Sequence, residues 1–127
     1  MPLKYDTRLI GEVTILDLHG RLSLGEEVAF GPGSGVVLGE IIRDLIKKGQ
    51  KKIVLDLTDV TYVDSSGVGQ LVGALTTARN QGGNVKLLAP TKQVLQLLKI
   101  VKLDTIFDIH EHETAAIRSF SRAVAGA

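Results

Sequence analysis

Two adjacent hydroxyls, Ser65 and Ser66, stand in the segment Asp64-Ser65-Ser66-Gly67-Val68-Gly69, directly after Val60-Thr61-Tyr62-Val63. A serine hydroxyl can accept a phosphoryl group, attack a carbonyl, or cap a helix. The flanking residues narrow the choice. The apolar run Ile53-Val54-Leu55-Asp56-Leu57 reads as a buried strand. Val68, Leu71, Val72 and Leu75 follow the serines at helical spacing. The pair therefore sits where a strand hands over to a helix, the edge of an α/β sheet at which ligand and partner surfaces form. First-turn N–H groups are unpaired there and the dipole is positive. A phosphate on either serine would be well tolerated. The residues by themselves favour a plainer reading, in which Asp64, Ser65 and Ser66 cap the helix and Gly69 and Gly73 allow close packing on the sheet.

Other chemistry has less to stand on. Nucleophilic attack by Ser65 or Ser66 needs a nearby general base, and the Gly-x-Ser-x-Gly elbow is absent. No catalytic residue is assigned, and the chain is read as a non-enzyme. His19, His110 and His112 are the three histidines, and His110-Glu111-His112 lacks the i, i+4 spacing of a helical zinc motif. They read as solvated strand-end residues, with no metal site. The glycines of Phe30-Gly31-Pro32-Gly33-Ser34-Gly35 are not followed by Gly-Lys-Ser/Thr, so this is not a phosphate loop. Nor is it a dinucleotide fingerprint, because Leu38 occupies the third glycine position. No cofactor is expected. Lys47, Lys48, Lys51 and Lys52 read as a solvated helix end, and adjacent Glu26 and Glu27 do not face one another on a helix.

The elements that must position these groups alternate. A β-rich pair, Leu3–Leu9 and Val13–Leu18, can form a hairpin across Ile10-Gly11-Glu12, ending at His19-Gly20. An amphipathic helix from Val36 to Lys48 carries Leu38, Ile41, Ile42, Leu45 and Ile46, with Gly49 as its stop. After the serine helix, which ends near Gln81-Gly82-Gly83, come a strand at Val85–Ala89 and a helix capped by Thr91. That helix carries Val94, Leu97, Leu98 and Val101. A last strand at Thr105–Ile109 and a tail helix from Glu113 to Val124 follow. This order argues for an α/β domain with parallel later strands.

The chain has 127 residues, room for one domain spanning 1–127. It has no cysteine, which excludes disulfides and thiolate metal sites. Aromatics are only 4%, so the core must be built from Val, Ile, Leu and Ala. The net charge of +1 gives no basic excess for nucleic acid. No run approaches the ~20 apolar residues of a membrane span, and the N-terminus lacks a signal-peptide pattern. The expectation is a soluble cytoplasmic protein.

The residues Ile53-Val54-Leu55-Asp56-Leu57, Val60 and Val63-Asp64-Ser65-Ser66-Gly67-Val68-Gly69 resemble the STAS family, and within it the stand-alone bacterial anti-sigma factor antagonists. Gly82–Leu87 and Leu98–Leu103 look like the next segments, and the similarity runs from about Thr7 to about Ser121. The resemblance implies a mixed, mostly parallel sheet flanked by helices. It implies a non-enzymatic switch that controls sigma-factor-dependent transcription. The phosphate acceptor would be Ser66, with Ser65 as the alternate. Asp64, Ser65, Ser66, Gly67, Val68 and Gln70 would shape the partner-binding surface, Val68 and Gln70 from an exposed first turn. The partners would be an ATP-binding anti-sigma factor serine kinase and a phosphatase. The family also implies a second role, a structural docking subunit of a lipid or anion transporter or of a stress-sensing assembly. Two departures stand out. Gly20-Arg21-Leu22-Ser23 has no acid after the glycine, and Phe30–Gly35 resembles an insertion that either alters specificity or is an idle excursion.

Overall fold

The computed structural model describes residues 3–23 and 38–125. Glu26, Glu27, the Phe30–Gly35 stretch and the expected helix start at Val36 lie outside the described residues.

Two N-terminal strands, β1 (Lys4–Ile10) and β2 (Val13–Leu22), form the expected antiparallel hairpin, with Ile10 opposite Val13. Its turn needs a positive φ, which Gly11 supplies at +60°. Then come α1 (Leu38–Lys47), β3 (Lys52–Val63), α2 (Ser65–Asn80), β4 (Asn84–Leu88) and α3 (Lys92–Ile100). A short 3₁₀ turn (Leu103–Thr105), β5 (Ile109–His110) and α4 (Glu113–Ala125) complete the order. The five strands form one mixed sheet in chain order, β1-β2-β3-β4-β5, and every pairing after the first is parallel.

Strands added in one direction by right-handed crossovers put their connecting helices on one face. The main core lies there. Leu16 and Leu18 of β2 and Leu55 and Leu57 of β3 meet Ile42 of α1, Leu71 of α2 and Leu98 of α3. All five apolar positions read from the α1 periodicity are buried. Each buried aliphatic side chain contributes roughly 1.5–3 kcal/mol, far more than the tenths by which helix propensities differ. The helix stops where Gly49, at φ +85°, lets the Gln50 N–H reach back to the Leu45 carbonyl.

α4 covers part of the opposite face. Ala116 and Phe120 pack on Val13, Ile15, Val54 and Leu88. The same layer buries Lys86, whose Nζ donates to Ser119 Oγ at 2.7 Å and lies 3.1 Å from Asp108 Oδ2. It also stands 4.5 Å from the centre of the Phe120 ring.

Three expected boundaries differ. β2 does not stop at His19-Gly20, and β3 does not end at Leu57. Each sustains the other: past one register shift His19 pairs with Asp59 and Gly20 with Val60, and past a second Leu22 pairs with Val63. The pattern misled because the exposed Thr58, Asp59, Thr61 and Tyr62 interrupt the apolar run. Thr105–Ile109 is not a strand. Lys102 takes a left-handed conformation (φ 63°), and Phe107 N–H donates to the Leu103 carbonyl, winding the chain and burying Phe107. Only Ile109 and His110 reach β4.

Candidate functional site

Asp64 organises the junction between β3 and α2. It stands as the N-cap, with extended backbone angles of φ −108° and ψ −171°. Its Oδ1 accepts the Gly67 N–H at 2.9 Å and the Ser66 hydroxyl at 2.6 Å. Its Oδ2 accepts the Ser23 hydroxyl, also at 2.6 Å. These donors, Ser23 foremost, then Ser66 and the Gly67 amide, favour the ionised form and hold the Asp64 carboxyl down to about 2.

The expected site residues therefore come together, though not all as expected. Ser65 is exposed and Ser66 is half-buried beside its cap. Gly67 is buried because α2 begins against the end of β2: a Cβ there would collide with the Leu22 carbonyl oxygen and press on Val63. Val68 is partly buried against the main core. Gln70 is not on an exposed first turn. It is 6% exposed, and its Oε1 accepts the Leu38 N–H at 3.2 Å, so it supplies a partner to the start of α1.

Gly69 and Gly73 do not pack on the sheet. A Cβ at either would meet nothing within 4 Å. Both line an open groove of 540 Å³ between α1 and α2, with Gly39, Glu40, Arg43 and Thr77 on its sides and Ser66 at its edge.

Ser23 is the site residue that sequence reasoning missed. It lies 41 positions before Asp64, and only the pairing of Leu22 with Val63 brings the two side by side. The same rim carries Arg21, which stacks 4.2 Å over the Tyr62 ring.

The histidines serve elsewhere. His19 bridges Asp59 (3.0 Å) and Asp6 (3.3 Å), with both ring nitrogens turned to carboxylates. The His110 side chain is 16% exposed rather than solvated, and its Nε2 lies 3.0 Å from Asp108 Oδ2. Among the described residues no cluster of three metal-ligating side chains occurs, and no helix is long and apolar enough to cross a membrane.

Comparison with known proteins matches residues 36–116 to the STAS domain. The chain is 36% identical over 76 residues to an anti-sigma-B factor antagonist of Bacillus subtilis, covering 60% of this chain and 69% of that one. Among solved structures it resembles the protein TM1081 of Thermotoga maritima, with a TM-score of 0.75 and 25% identity over 94% of this chain and 90% of that one. It also shares the fold of the Bacillus cell fate determinant SpoIIAA in its phosphorylated form, at a TM-score of 0.64 and 19% identity over 92% of this chain and 99% of that one. With nearly two thirds of its length matched to the domain and that domain's fold throughout, the chain belongs to the STAS domain family.

Proposed function

We propose that this protein is an anti-sigma factor antagonist whose partner binding is switched off by phosphorylation of Ser66. The observation that carries this reading is the Ser66 hydroxyl, held 2.6 Å from the cap carboxylate at the first turn of α2 and at the edge of a groove. The anti-sigma-B factor antagonist of Bacillus subtilis supports the role by its likeness.

The chemistry needs little from this chain. A partner kinase transfers the γ-phosphoryl group of ATP to Ser66 Oγ. A new P–O bond forms, the bond to the bridging oxygen of ADP breaks, and the hydroxyl proton passes to a base on the kinase. Asp64 is a positioning residue in that step. A carboxylate held at about 2 is a weak base, but it fixes the direction of the Ser66 hydroxyl. A phosphatase reverses the state by hydrolysis.

Magnitudes decide how the phosphate acts. It adds roughly 1.5–2 negative charges. The α2 N-terminus stabilises them by about 0.3–1 kcal/mol. Repulsion from Asp64 costs about 1 kcal/mol per unit charge at ~4 Å in water. For the whole charge the repulsion exceeds the gain by roughly 1 kcal/mol, small against the roughly 5–15 kcal/mol that holds a domain folded, so the fold survives. The existence of SpoIIAA as a folded phosphoprotein of the same architecture supports this. A hundredfold loss of affinity needs only about 2.8 kcal/mol, and an unmatched charge buried in an interface costs several. The switch therefore works by excluding the partner from the surface around Ser66, Ser65 and Val68.

The test is calorimetric titration of an anti-sigma factor kinase with the unphosphorylated chain and with Ser66→Asp. Tight binding of the first and loss of binding by the second, at similar melting temperatures, supports the proposal. Equal binding by both overturns it.

A further inference from the structure

The sheet ends on β1, and among the described residues no strand pairs with its outer side. All seven of its residues are exposed, including Tyr5 at 42% and Leu9 at 62%. An edge strand of this length is a template for another strand, and the order of its side chains specifies which one.

Read antiparallel to itself about Thr7, the sequence Lys4-Tyr5-Asp6-Thr7-Arg8-Leu9-Ile10 is self-complementary. Tyr5 falls opposite Leu9 of a second copy, Asp6 opposite Arg8, and Thr7 opposite Thr7. Each unlike pair occurs twice by symmetry. The register with β2 separates the faces. Tyr5, Thr7 and Leu9 align with Leu18, Leu16 and Thr14, while Asp6 and Arg8 align with Asp17 and Ile15. One face of the paired edge would thus be apolar and hydroxylic, and the other would carry two ion pairs.

Competing arrangements fail on charge. Parallel in-register pairing sets Asp6 on Asp6 and Arg8 on Arg8. Moving the antiparallel centre to Asp6 opposes Asp6 to itself and Lys4 to Arg8. Moving it to Arg8 opposes two guanidinium groups. Arg8 is already oriented on this face, because Asp17 holds its Nε and Nη2 at 2.7 and 3.0 Å and Glu113 of α4 holds the same Nη2 at 2.6 Å. Asp6 has one oxygen 3.3 Å from His19 Nε2, and its side chain, 77% exposed, leaves room for a guanidinium of the second copy.

We propose that β1 is a homodimerisation edge, joining two copies through antiparallel β1–β1 pairing centred on Thr7 into one ten-stranded sheet. The contact is small, so the dimer is weak and reversible. It leaves the Ser66 surface, which follows the central strand β3 two strands in from β1, uncovered on each copy.

The absence of cysteine makes the register directly testable. Directly opposed antiparallel residues lie within disulfide reach, whereas positions offset by four residues do not. Oxidation of full-length Thr7→Cys should give a covalent dimer quickly, and Leu9→Cys should not, because Leu9 faces Tyr5. Sedimentation equilibrium of the unmodified chain should show self-association, weakened about tenfold by Asp6→Lys, which turns two attractive pairs repulsive. A chain that stays monomeric to about 1 mM, a range in which weak pairs of a few kcal/mol associate, overturns the proposal. So does Thr7→Cys cross-linking no faster than Leu9→Cys.

Discussion

Ser23 Oγ donates to Asp64 Oδ2 at 2.6 Å, tying the residue that follows β2 to the cap of α2. The opposite oxygen of the same carboxylate holds Ser66. One side chain thus connects the strand rim to the proposed switch residue, and its charge state controls both contacts.

Asp64→Ala should destabilise the domain by about 1 kcal/mol, the usual cost of losing an N-cap. Asp64→Asn should cost less, because an amide oxygen still accepts the Gly67 N–H. Urea unfolding of the two variants checks this order. Loss of phosphorylation rate in both variants, beyond the stability change, would mark the positioning role.

The Asp64 carboxyl gives a pH signature. Its folded value of about 2 lies well below the ordinary aspartate range. Stability from these hydrogen bonds is therefore complete above the unfolded-state value and is lost as pH falls through about 2. A carboxyl-carbon NMR titration should place Asp64 there. Ser23→Ala should raise the midpoint, because Ser23 is the largest cause of the depression. An unchanged midpoint in Ser23→Ala would contradict the assignment.

The two glycines of the first α2 turns should part company. Gly67→Ala forces a methyl into the Leu22 carbonyl, and overpacking of this kind costs about 1–3 kcal/mol. Gly69→Ala meets nothing within 4 Å and gains up to about 1 kcal/mol of helix propensity. Thermal melts should move in opposite directions.

This contrast shows what was legible in the sequence. The α/β order, the Asp64 cap and the α1 face could be read because they depend on spacing within one segment. The roles of Ser23, Gly67 and Gln70 could not. Each rests on a neighbour far along the chain: Asp64 for Ser23, Leu22 for Gly67, and Leu38 for Gln70. A glutamine in the first turns of a helix reads as solvent-facing until the start of α1 is brought against it. The extension of β3 was hidden for the same reason, since pairing with β2 overrides the polar Thr58-Asp59 break.

Lys86 carries a further prediction. It is 5% exposed, and its ammonium group is partnered by Asp108 and Ser119. Removing a partner leaves a buried ammonium short of compensation, whereas removing the ammonium itself does not. Lys86→Met should therefore cost less stability than Asp108→Ala, by roughly 1 kcal/mol or more after allowing for the half-exposed Asp108. Chemical denaturation at neutral pH measures the difference.

The central claim is that Ser66 is the phosphate-bearing switch. The most direct measurement incubates the chain with an anti-sigma factor serine kinase and MgATP, maps the modified residue by mass spectrometry, and measures kinase binding before and after. The account predicts one phosphate on Ser66, at least a hundredfold weaker binding (about 2.8 kcal/mol), and a nearly unchanged melting temperature. A chain that takes no phosphate on Ser66, or a Ser66 phosphoprotein that still binds as tightly as before, would contradict it.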